Sequence, residues 1–197
     1  MSGIAVDVVL LPEEAMVDLA ITANTELVKE SGSKIVLNKN DCLPHISLAM
    51  GCIDSRDVAR IGESLRPIVD IAPRRLKLAG IQKSTNISGE IVSVFQVERT
   101  EQLQIFHERI YNILKPFFTQ DIAEDMIAGG QASASTLEWI RNYFVKSGYS
   151  NFSPHITAGY GDLSDLPLPR DFAVENLAIY HLGNHCTCAK ILWSAEI

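Results

Sequence analysis

With 197 residues and 21.7 kDa, the chain suits one domain or two tightly joined lobes. Hydrophobic residues make up 47 % and charged residues 21 %, ordinary globular usage that excludes a disordered or collagen-like chain. Seventeen Lys and Arg against 24 Asp and Glu leave a net charge of −7, which argues against gripping an extended duplex through many phosphates but allows a small anionic ligand.

In chain order, Ile4 to Leu11 reads as a buried strand with Ile4, Val6, Val8 and Leu10 on one face. Asp7 interrupts this stretch and no basic leader precedes it, so no signal peptide is expected; nor does any run approach the ~18 apolar residues of a spanning helix. Pro12, followed by Glu13 and Glu14, suits a helix start. The helix would carry an apolar stripe of Met16, Leu19, Ala23 and Leu27 and end near Gly32. A strand is expected over Leu43 to Ile53, then a helix capped by Asp54 with Val58, Ile61, Leu65 and Ile68 inward.

Arg75 to Lys83 and Glu90 to Glu98 flank a turn built from Asn86, Ser88 and Gly89, which reads as a hairpin. Thr100 can cap a third helix bearing Leu103, Phe106, Ile110, Ile113 and Phe117. Gly129 and Gly130 punctuate a weaker stretch, after which Ser135 and Glu138 read as the capping box of a short helix through Trp139 and Phe144. A strand over Phe152 to Tyr160, a loop with Pro167 and Pro169, and two strands near Val174 to Leu182 and Thr187 to Ala195 complete the chain. The class is α+β with largely antiparallel sheets, and residues 1–197 form one unit.

One motif occurs twice. Pro44-His45-Ile46-Ser47 runs on to Gly51, and Pro154-His155-Ile156-Thr157 runs on to Gly161 in the same register. Two structurally similar halves, each presenting one copy, are expected. On a strand, residues i and i+2 share a face about 7 Å apart, so His45 and Ser47 point one way, as do His155 and Thr157. Ile46 and Leu48 point into a core. The next residues on the functional face would be Ala49 and Gly159, both small.

Two such strands facing across a cleft would converge two imidazoles and two hydroxyls. A neutral His can take a proton from an attacking water or hydroxyl, while a protonated one gives a proton to the leaving oxygen. The Ser and Thr hydroxyls can donate to non-bridging phosphate oxygens. No metal or other cofactor is needed for this chemistry.

The paired motif resembles the 2H phosphoesterase superfamily, which includes 2′-5′ RNA ligase-like proteins and 2′,3′-cyclic nucleotide phosphodiesterases. The resemblance spans the chain in outline, but only the eight-residue motifs are specific. It implies a bilobal α+β fold with two pseudo-symmetric lobes, helices outside, a central groove and metal-independent opening of cyclic phosphates. Under it, His45 and His155 become the acid–base pair, and Ser47 and Thr157 the phosphate binders. Ser47 stands where many members have Thr. The substrate class is then a nucleotide or short RNA end.

Other readings compete at several positions. His181, His185, Cys186 and Cys188 lie close in sequence, but lack a matched second pair for a metal, and Cys186 and Cys188 read as core thiols sharing one strand face. His107 reads as a surface or boundary residue. Phe95, Phe152 and Tyr160 are candidates for stacking on a base, although strict alternation turns Tyr160 away from His155. Arg75 and Lys83 could touch phosphate but fit a solvated hairpin edge better. The four sparse cysteines point to a reducing cytoplasm rather than a disulfide framework. The main rival function is a non-catalytic nucleotide-binding module using the same cleft.

Overall fold

The computed structural model describes residues 3–86, 89–119, 121–164 and 166–197. Seven strands and four helices follow one another as β1 (Gly3–Pro12), α1 (Glu14–Ser31), β2 (Ile46–Asp54), α2 (Val58–Leu65), β3 (Arg75–Thr85), β4 (Ile91–Val97), α3 (Glu101–Leu114), α4 (Ala134–Ser147), β5 (His155–Tyr160), β6 (Asp171–Leu182) and β7 (Cys188–Glu196). The class is α+β, as expected, and every strand pairing is antiparallel.

Strand order is β2-β1-β6-β3-β4-β5, with β7 also paired to β6. Two half-sheets emerge, β2-β1-β6-β7 and β3-β4-β5, joined where Arg75 to Lys77 pair with Asp171 to Ala173. The helices cross between them: α1 packs on β5, whereas α3 and α4 pack on β2. Each half therefore supplies the helix that covers the motif strand of the other. The large core lies between helices and sheet, and a smaller cluster of Val9, Ala178, Tyr180 and Cys188 lies with Leu11 and Leu43.

Several sequence expectations shift by a few residues for identifiable reasons. Pro12 ends β1 instead of opening α1, because the β1–β6 ladder runs on to Val174. Glu13 then takes the N-cap place, and its Oε1 accepts from the Ala173 N–H at 2.9 Å. Both faces of β1 are buried: Val6, Val8 and Leu10 lie in the large core, and Val9 on the opposite face lies in the smaller cluster. Asp54 caps a short 3₁₀ turn, Ser55 to Asp57, ahead of α2, and Ile68 falls in a second one beyond it. Pro116 leaves Phe117 in a 3₁₀ turn after α3, whose cap Thr100 accepts from the Leu103 N–H at 3.2 Å. The cap of α4 is Ser133 rather than Ser135; its hydroxyl accepts from the Thr136 N–H at 3.2 Å. The hairpin turn keeps Asn86 and Gly89, while Ser88 lies outside the described residues.

Candidate active site

Both motif strands contain a bulge at the same place, three residues after the histidine. In β2, Val9 pairs with Ser47 and Val8 with Ala49, so Leu48 is the extra residue; in β5, Val94 pairs with Thr157 and Ser93 with Gly159, so Ala158 is. A bulge shifts the side-chain alternation by one. Met50 and Tyr160, not Ala49 and Gly159, therefore join Ser47 and Thr157 on the groove face. Tyr160 was expected in the core on unbroken alternation; the extra residue brings it to the groove.

The two bulges are held alike. In one half, Asn24 of α1, fully buried, donates from Nδ2 to the Ala158 carbonyl at 2.8 Å and accepts from the Leu37 N–H at 2.8 Å. In the other, His107 of α3 lies 2.7 Å from the Leu48 carbonyl through Nδ1, and its Nε2 accepts from the Tyr149 N–H at 3.0 Å. His107 is 0 % exposed and its ring stacks on Phe152 with centroids 3.9 Å apart, so it is a core histidine and not a surface one. Since a carbonyl only accepts, Nδ1 carries the hydrogen and the ring is neutral. Burial accordingly depresses its pKa.

The motif glycines have packing reasons. A Cβ on Gly51 would stand 2.5 Å from the Phe118 ring. Gly161 has φ +118 and leaves the same clearance, 2.5 Å, to Ser31 Oγ on α1.

His45, Ser47, His155 and Thr157 line one cavity of about 580 Å³ between the two half-sheets. His45 Nδ1 lies 2.7 Å from the Leu43 carbonyl, and His155 Nδ1 lies 2.8 Å from the Ser153 carbonyl, each two residues upstream. These bonds place the Nδ1 hydrogen, so Nε2 is left to accept a proton when the ring is neutral or donate one when it is charged. Burial pushes both imidazoles below their usual value, and the charge of His155 further disfavours charging His45. The Ser47 hydroxyl donates to Asp7 Oδ2 at 2.6 Å, and His45 Nε2 stands 4.0 Å from the same oxygen. Trp139, 39 % exposed, and Tyr160 add aromatic surface, and Tyr160 Oη lies 3.3 Å from His185 Nδ1.

Two solved structures share this architecture over its whole length. E. coli LigT in its apo form has a TM-score of 0.54 at 12 % identity, covering 100 % of this chain and 98 % of that one. The fold is shared with LigT. E. coli LigT complexed with phosphate has the same TM-score of 0.54 at 11 % identity, with coverage of 100 % and 98 %. No protein-family model matches the sequence, and no curated protein matches it. In this LigT-like fold, the paired motif strands lie on either side of the groove.

The remaining candidates separate. Phe95 is core, and Phe152, 3 % exposed, stacks on His107 at the wall of the cavity. Arg75 and Lys83 are both exposed, but Arg75 stands where β3 joins β6 and not at an edge; it pairs with Asp171, and Lys83 with Asp162. His181 bonds the Met126 carbonyl, away from His185. Cys186 sits in a turn with φ +57 and does not share a strand face with Cys188, because β7 begins only at Cys188. All four cysteines are free, and among the described residues no group of three or more His, Cys, Asp or Glu could hold a metal. No helix among them is long and apolar enough to cross a membrane. The sequence does not connect Asp7 with Ser47, to which the structure bonds it; the available signal is a lone carboxylate amid aliphatic strand residues.

Proposed function

We propose that the groove is the active site of a metal-independent phosphoesterase that opens 2′,3′-cyclic phosphates, or cleaves 2′,5′ linkages, of nucleotides or short RNA ends. The observation that carries this reading is the pair of imidazoles, each tied through Nδ1 to a backbone carbonyl and each followed two residues on by a hydroxyl. In the hydrolysis of a cyclic phosphate, water attacks phosphorus and one neutral Nε2 takes its proton. The bond from phosphorus to one ribose oxygen breaks, and the other Nε2–H gives that oxygen a proton. Ser47 and Thr157 donate to the non-bridging oxygens, where charge collects in the transition state.

The cavity volume of about 580 Å³ suits a mononucleotide. Trp139 and Tyr160 offer faces for a base, and the net charge of −7 favours small or terminal substrates over a long polyanion. The likeness to LigT, solved in complex with phosphate, supports a phosphate-bearing ligand.

Hydrolysis of the four 2′,3′-cyclic mononucleotides in EDTA, with 2′- and 3′-phosphate products separated, tests the proposal. Turnover is expected; its absence together with nucleotide-induced thermal stabilisation would point to a binding module instead. The pH profile gives a second check. One imidazole must be neutral and the other charged, and both are held below the usual 6.5, so kcat/KM should follow a bell centred on the acid side of that value. An optimum in the alkaline range would contradict the assignment.

A further inference from the structure

Asp7 is a buried carboxylate bonded to the groove-lining Ser47, and the two-histidine chemistry does not use it. It lies in the middle of β1, paired across the strands with Met50 of β2 and Tyr180 of β6, and it is 0 % exposed. In the other half, Val92 takes its place, paired with Tyr160 as Asp7 is with Met50. The pseudo-symmetry is thus broken by a carboxyl group next to one of the two hydroxyls. Asp7 Oδ2 is bonded to Ser47, and Oδ1 has no hydrogen-bond partner among the described residues.

We propose that Asp7 is a positioning residue whose protonation state decides whether Ser47 can donate a hydrogen bond to a tetrahedral anion in the groove. The proposal rests on reading the groove as a phosphoester site. With Asp7 ionised, the Ser47 hydrogen is committed to Oδ2, and Ser47 turns lone pairs toward the incoming anion. With Asp7 protonated, the same 2.6 Å contact reverses: the carboxyl hydrogen goes to Ser47 Oγ, and the Ser47 hydrogen is released to the ligand. One proton moves onto Asp7 and no other bond changes.

The surroundings favour the protonated form. The titratable groups about Asp7 are His45 and the cross-strand Tyr180, Tyr143 of α4, Cys186 in the turn before β7, and Cys188 at its start. None is a permanent cation. Burial raises the Asp7 pKa well above its ordinary value, and the Ser47 hydroxyl and the Ala49 N–H oppose this only in part. An anion beside Ser47 adds to the same push. Binding is therefore linked to proton uptake wherever Asp7 is ionised in the free protein.

Inorganic sulfate is a suitable probe, being a tetrahedral dianion whose own charge is constant over the working range. Its binding to the full chain is measured by titration calorimetry across pH and in buffers of different ionisation heat. In wild type, affinity should fall toward alkaline pH about tenfold per unit more steeply than in Asp7→Asn, whose amide can still donate to Ser47. Ser47→Ala should bind about 10- to 100-fold more weakly, and in that background the Asp7→Asn difference should shrink. Should Asp7→Asn fail to fold, Ser47→Ala alone must lower the number of protons taken up with sulfate.

Identical pH dependence in wild type and Asp7→Asn overturns the proposal. So does an Asp7→Asn difference that persists undiminished without Ser47, since Asp7 would then act by charge alone, and so does an absence of sulfate binding. Linked proton uptake without turnover of any cyclic phosphate would keep the proposal and remove the phosphoesterase reading. Turnover that depends on both histidines, without the linkage, would do the reverse.

Discussion

Replacing either His45 or His155 by alanine is expected to lower turnover of 2′,3′-cyclic nucleotides by about 10²- to 10⁴-fold. Each ring presents Nε2 to the same groove while Nδ1 is held by a carbonyl, so neither can stand in for the other without leaving its anchor. Losses in the double variant should fall well short of the product of the two single losses, because one proton-transfer chain is already broken in each. Folding should be affected less than by loss of a core side chain, as both rings line the cavity instead of filling the core. Thermal melts of the variants separate this from collapse of the fold. A loss below tenfold in either variant, with the melt unchanged, would remove that histidine from the chemistry.

His107→Ala should destabilise the protein by about 3–5 kcal/mol in urea unfolding, the range for deleting a buried ring and orphaning its polar partners. The ring fills a fully buried position against Phe152, and its loss leaves the Leu48 carbonyl and the Tyr149 N–H unpaired. His107→Phe, which keeps a ring on Phe152 but pairs neither group, should lie between wild type and alanine and so divides packing from hydrogen bonding. There is also a pH signature. Burial holds His107 below 6.5, so its contribution is present above that value and is lost as pH falls toward the folded-state pKa. The part of the acid destabilisation due to His107 should vanish in His107→Phe. Activity should fall as well, because the Leu48 bulge sets the direction of Ser47 and Met50. A wild-type-like stability for His107→Phe would show that the ring alone matters.

Much of the fold was legible because it depends on short-range pattern. The helical stripes led by Met16, Ile61 and Leu103, the Thr100 cap, and the alternation around Arg75 to Glu98 are local, and each appears as an element near its expected bounds. The boundary errors arise where a partner strand extends or ends the ladder, as at Pro12, or where a cap two residues upstream wins, as with Ser133 over Ser135. His107 was misread because its neighbours in sequence do not reveal that α3 lies over the β2 bulge.

The candidate site divides along the same line. The sequence alone determined which side chains share a face, since each Pro-His-Ile-hydroxyl copy on a strand puts its His and its hydroxyl on the same side. Only the tertiary structure decided what surrounds them. An unpaired residue in a ladder is a property of two strands together, so the bulges at Leu48 and Ala158, and the turn of Met50 and Tyr160 into the groove, cannot be read from either strand by itself. The same holds for Asp7, 40 positions from Ser47: its contact with that hydroxyl exists only because β1 pairs with β2, and its burial only because distant parts of the chain pack over that face of the sheet.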